Sequence, residues 1–109
     1  MTQKYHNKPE VVDGVRFDSR KEARRYQDLR LLQRGAQIVD LELQPRFVLR
    51  VIGPEGEEVI IGSYYADFRY RDVEKQCVVV EDVKGVRTPV YRLKKKHVEA
   101  QYGITIQEI

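Results

Sequence analysis

The segment Cys77-Val78-Val79-Val80-Glu81-Asp82-Val83-Lys84 constrains the fold more than any other stretch of the chain. Branched apolar residues at successive positions suit a strand covered on both faces, and such a strand is a central one. A strand is therefore expected over residues 76–84, ended by Gly85. Cys77 lies inside the apolar run and is expected to be a buried, inert thiol. As the single cysteine it excludes an internal disulfide and a cysteine-built zinc cluster. The period of two puts Val78, Val80, Asp82 and Lys84 on one face. An acid at the end of a buried row must be partnered or its pKa must shift, because an isolated buried charge costs several kcal/mol.

The flanking segments supply the layers that would cover such a strand. Residues 1–17 read as an amino-terminal arm with a hairpin turn at Asp13-Gly14. Asp18 or Ser19 can cap a helix, Ser19-x-x-Glu22 fits a capping box, and Ala23, Tyr26 and Leu29 recur at helical spacing up to Gly35. From Ile38 the period becomes two, with Val39, Leu41 and Leu43 alternating against Asp40, Glu42 and Gln44. Pro45 interrupts, Phe47, Leu49 and Val51 resume, and Gly53-Pro54-Glu55-Gly56 makes a turn. A second strand runs from Val59 to Tyr70 with a kink at Gly62. After the valine strand, Val90, Leu93, His97 and Ala100 mark a helical stripe, with Tyr91, Val98 and Tyr102 beside it. His97 on that stripe is expected to be a packed histidine. Gly103 ends the helix, and residues 104–109 alternate as a last strand. The order α-β-β-β-α-β implies an α/β or α+β fold, a mixed central sheet flanked by helices. At 109 residues there is room for one domain, here spanning 18–109 behind the arm.

Charge is unevenly placed. Residues 84–97 carry Lys84, Arg87, Arg92, Lys94, Lys95 and Lys96 and no acid, a charge of +6. Residues 20–34 carry +4, and the remaining eighty residues sum to −7. Two basic segments on an acidic body mark a polyanion surface. There is no apolar run of about 18 residues to cross a membrane, and the first ten residues lack the apolar stretch of a secretory signal, so a cytoplasmic location is expected.

Tyr65, Asp67 and Arg69 share a strand face under strict alternation. A hairpin turning near residue 74 places Asp67 opposite Glu81 or Asp82. Facing carboxylates repel unless a cation joins them, and oxygen ligands favour Mg²⁺ or Mn²⁺ over zinc. Lys84, next on the Asp82 face, would stabilise developing negative charge.

This pattern, with Asp67 on one strand, Asp82-x-Lys84 on the next and Glu22 on a preceding helix, resembles the PD-(D/E)XK nuclease superfamily. More narrowly, residues 12–23, 41–47, 65–68 and 80–85 resemble blocks of a small phage and prophage family of uncharacterised proteins, over about residues 4–109. The residue before Asp67 is Ala66, where the superfamily nominally has Pro. The resemblance implies a restriction-endonuclease-like core and a metal-dependent DNA endonuclease, with Asp67, Asp82, Lys84 and Glu22 as catalytic residues. It implies Mg²⁺ or Mn²⁺ held by Asp67, Asp82, the Val83 backbone carbonyl and Glu22, with Gln44 and Lys94 auxiliary. Arg20, Arg24, Arg25, Arg87, Lys94, Lys95 and Lys96 would grip DNA phosphates without reading sequence. Cutting both strands of a duplex, or both arms of a junction, would call for a homodimer. Two other classes compete: a catalytically inactive nucleic-acid-binding module, and a phage product that binds a host protein.

Overall fold

The computed structural model describes residues 9–83 and 85–109. β1 (Glu10–Val12) and β2 (Val15–Phe17) pair about Asp13 and Gly14, whose φ angles are 52° and 76°. Two successive left-handed residues match the twist of a tight hairpin, and Asp and Gly tolerate that region. The hairpin is no detached arm. Phe17 is buried in the core beneath the following helix, and Val12 and Val15 pack against that core.

α1 (Arg20–Arg34) starts where the capping residues place it. Ser19 keeps an extended backbone and its Oγ accepts the Glu22 N–H at 3.1 Å. Ser19→Ala should lower the unfolding free energy by about 1 kcal/mol, read from urea titrations of the two proteins.

The strands that follow are β3 (Ile38–Leu43), β4 (Arg46–Ile52), β5 (Glu58–Tyr65), β6 (Phe68–Asp72) and β7 (Cys77–Asp82), then α2 (Pro89–Tyr102) and β8 (Ile106–Glu108). From α1 onward this is the expected order, with one change: the first two β segments are each broken once. β3 and β6 pair in a four-stranded sheet of order β3-β6-β7-β8, whereas β4 and β5 form a separate ribbon. β7 and β8 run parallel, joined through α2; the other pairs are antiparallel, so the sheet is mixed.

The break is a bend in one long hairpin. Gln44 donates its N–H to the Asp67 carbonyl at 2.9 Å, and Ala66 donates to the Pro45 carbonyl at 3.2 Å. Pairing thus continues through the corner while the chain changes sheets. Pro45 has no N–H to place in a ladder, and Gln44 sits in the left-handed region at φ 51°. The fold has a core on each side of the sheet. Under α1 lie Phe17, Ala23, Tyr26, Leu29, Ile38, Phe68 and Tyr70. Under α2 lie Phe47, Leu49, Tyr64, Ala66, Val80, Val98 and Ile106.

Three expectations are corrected. In β3, Asp40 adopts φ 58° at a register shift between Val39 and Glu42, so Ile38 is buried and Val39 exposed. In β7 the apolar end is the open one: Cys77 is exposed and Val78 is 59% exposed, while Val80, Glu81 and Asp82 are 3%, 2% and 0% exposed. The cause is the shortness of β8, which pairs only with Val80, Glu81 and Asp82. On α2, the stripe Val90, Leu93 and Ala100 faces outward and Val98 faces in. His97 is half-buried, its Nε2 2.8 Å from the Arg50 carbonyl oxygen, rather than a core residue. No helix among the described residues is long and apolar enough to cross a membrane.

Candidate active site at the bend of the long hairpin

Asp67 lies at the corner between β5 and β6. Its N–H donates to the Glu81 carbonyl at 3.0 Å, although Phe68 is the registered partner of Glu81. Two residues of one strand therefore address one residue of the next, the arrangement of a β-bulge, and a bulge re-aims a side chain. Asp67 consequently leaves the row of Tyr65 and Arg69. Its Oδ2 accepts the Val83 N–H at 2.6 Å, which sets the carboxylate beside the Asp82–Val83 peptide.

The corner also closes a small cavity of about 160 Å³, lined by Val15, Arg16, Phe17, Glu22, Leu43, Gln44 and Asp67. Glu22 is 7% exposed and enters this cavity from the first turn of α1. Gln44 enters from the bend. Three of the residues singled out from the sequence thus share one space.

Asp82 is not in that lining. It is fully buried and shares a strand face with Val80, toward α2. Its registered neighbour on β8 is Glu108. Glu108 accepts the Tyr91 hydroxyl at 2.7 Å and pairs with Arg87 at 3.1 Å. Burial first, then the Glu108 hydrogen bond and the Asp82 charge, hold the Tyr91 hydroxyl well above the usual tyrosine range. The same Tyr91 hydrogen bond, aided by Arg87, holds the Glu108 carboxyl below its ordinary value. Lys84, expected beside Asp82, lies outside the described residues.

Glu81 faces the other way. It is 2% exposed, takes two hydrogen bonds from Arg25, at 2.8 and 2.6 Å, and accepts a short one from the Tyr70 hydroxyl. Its hydrogen bonds hold the Arg25 guanidinium above the usual arginine range, and burial with the Glu81 bond raises the Tyr70 hydroxyl. Arg25 ties α1 to β7 through its Nε and Nη2, which leaves only the Nη1 side of the guanidinium for a phosphate. The other expected phosphate contacts vary in availability. Arg24 and Lys96 are exposed. Arg20 is paired with Glu10 at 3.3 Å and Lys95 with Glu99 at 3.5 Å. Lys94 donates to the Ser63 carbonyl at 3.1 Å. The exposed Arg20–Glu10 pair is worth about 0–1 kcal/mol, so a phosphate can compete for it.

The family model described as "protein of unknown function (DUF1064)" matches residues 2–107. The chain belongs to the DUF1064 family. Neither a curated protein nor a solved structure matches it.

In this DUF1064 chain, sequence reasoning missed Glu108, Tyr91 and the role of Glu81. The adjacency of Glu108 to Asp82 follows from a parallel register that no local pattern encodes. Glu81 carried a readable signal, an acid inside an apolar strand, but its partner Arg25 lies 56 residues earlier. Among the described residues, no group of three or more His, Cys, Asp or Glu side chains is arranged to hold a metal ion. The donors at the cavity are the carboxylate oxygens of Glu22 and Asp67, while Asp82, next to the Val83 N–H that Asp67 binds, lies on the α2 face. Their chemistry fits Mg²⁺, which retains several waters and is commonly held by only one or two carboxylates plus substrate phosphates.

Proposed function

We propose that this protein is a metal-dependent DNA endonuclease that hydrolyses phosphodiester bonds, acting in phage or prophage DNA processing or junction resolution. The observation that carries this reading is the bend: it presses the Asp67 carboxylate against the end of β7, one residue from buried Asp82, and opens onto a cavity shared with Glu22 and Gln44. Mg²⁺ or Mn²⁺ would be held from the cavity side by Asp67, Glu22 and the Val83 carbonyl, whereas Asp82 faces α2 and would have to turn toward Asp67 to complete the set. A cation there supplies an acidified water and neutralises charge on a phosphate oxygen. Asp67 and Glu22 orient the attacking water from the cavity side. Lys84, two positions beyond Asp82, stabilises the negative charge that develops at the phosphate. Arg24, Lys95 and Lys96 hold the sugar–phosphate chain with no base contacts, which makes the affinity fall steeply with salt.

The test is a panel of labelled duplex, flap, four-way-junction and single-stranded DNAs, with Mg²⁺, with Mn²⁺ and with EDTA. Cleavage that needs the cation, and that Asp82→Ala and Lys84→Ala reduce at least about a hundredfold while DNA binding persists, is the expected result. Cleavage unchanged in both variants overturns the assignment. Salt-sensitive binding with no cleavage of any substrate makes the chain a nucleic-acid-binding module instead.

A further inference from the structure

The β4–β5 ribbon has two edges, and the molecule treats them differently. The outer edge of β4 is sealed by α2. Gln101 accepts the Arg50 N–H at 2.8 Å and donates to the Val48 carbonyl at 3.0 Å. Tyr102 donates to the same carbonyl at 2.8 Å, and His97 meets the Arg50 carbonyl. The outer edge of β5 has no such cover. Among the described residues no strand joins it, and the only side chain reaching it is Lys94, at the Ser63 carbonyl. Along this open edge Val59, Ile60 and Ile61 are 41%, 65% and 55% exposed.

An exposed edge of branched apolar residues is a template for another strand. Natural edges are usually blunted with lysine or proline, and residues 58–65 contain neither. A bulge opposite Leu49 and Arg50 leaves Ile61 unpaired and bends β5 there, and the side chain it turns out is a further exposed isoleucine.

We propose that the β5 edge is the contact between two copies of this chain, which pair β5 with β5 antiparallel about a two-fold axis through Ile60. Charge selects a second copy over an unrelated strand. With Ile60 on the axis and Ile61 the unpaired residue of the bulge, Gly62 lies opposite Val59 of the other copy, and Ser63 opposite its Glu58. Lys94, anchored on the Ser63 carbonyl, then meets Glu58 of the other copy, whose side chain is 71% exposed, and the two-fold repeats the pair. The outcome is a four-stranded sheet from two ribbons, with the exposed isoleucines covered. This inference does not depend on the nuclease reading, because its test measures association and not cleavage.

The experiment is sedimentation equilibrium of the full chain, alongside the Ile60→Lys variant. The native protein is expected to be a dimer at micromolar concentration. Ile60→Lys, which changes a side chain exposed to solvent, is expected to be monomeric with an unchanged far-UV circular dichroism spectrum and a thermal melt that no longer depends on protein concentration. A native chain that stays monomeric at 100 µM, about the top of the range used, overturns the proposal. So does a dimer that survives Ile60→Lys. A second arm uses Ile60→Cys in a Cys77→Ser background with oxidised glutathione. Directly opposed strand residues have Cβ atoms about 4.5–5.5 Å apart, so a covalent dimer is expected. Its absence in a chain that sediments as a dimer places the contact elsewhere and overturns the register.

Discussion

Phe68→Ala is expected to cost about 4 kcal/mol of unfolding free energy, because Phe68 is the largest fully buried side chain among the described residues. Phe68 is 0% exposed and opens β6 immediately after the bend. It belongs to the core beneath α1 and is the registered partner of both Leu43 and Glu81. Removing the ring leaves a cavity that two paired strands cannot collapse to fill. A domain of this size has about 5–15 kcal/mol in total, so the variant should unfold at a much lower urea midpoint, with an unchanged slope if the transition remains two-state. A midpoint shifted by less than the equivalent of about 2 kcal/mol would mean that the bend tolerates the loss by closing.

Arg25→Ala is expected to cost about 3 kcal/mol. The reason is the partner left behind. Glu81, 2% exposed, would keep only the Tyr70 hydroxyl as a charge-stabilising neighbour among its described contacts. Removing one member of a buried ion pair exposes the desolvation penalty of the other, whereas replacing both is far less costly. The double variant Arg25→Ala/Glu81→Leu should therefore recover most of the loss, and a double-mutant cycle on urea midpoints measures it. Additive effects of the two substitutions would show that the pair contributes nothing as a pair. The same clamp has a functional side. Arg25 lies three residues after Glu22 on α1, so loosening it frees the helix that brings Glu22 to the Asp67 cavity.

Local chemistry determined much of this protein. The Asp13-Gly14 turn, the Ser19 cap, the alternation of Phe47 and Leu49 after Pro45 and the order of helices and strands are each written in short stretches. The hairpin register about residue 74 was also legible, because a short turn leaves few ways to pair its arms. The candidate site was legible in part: Glu22, Gln44 and Asp67 do share a cavity. Period two failed at Asp40 and at Asp67, where a positive φ or a doubled residue resets the phase, and neither residue type announces that.

What the tertiary structure alone decided is which surfaces are covered. Val78 and Val80 look alike in the sequence, yet one is open and the other buried, because β8 reaches only the last three residues of β7. The two apolar stripes of α2 look equally suitable, yet Val98 packs and Leu93 does not, because Gln101 and Tyr102 are drawn to the backbone edge of β4. Glu81 and Asp82 are neighbours that turn to opposite sides, one to Arg25 and the other toward Tyr91 and Glu108. Burial is a property of pairs of surfaces, and a residue's own chemistry states its preference for cover without saying which partner will arrive.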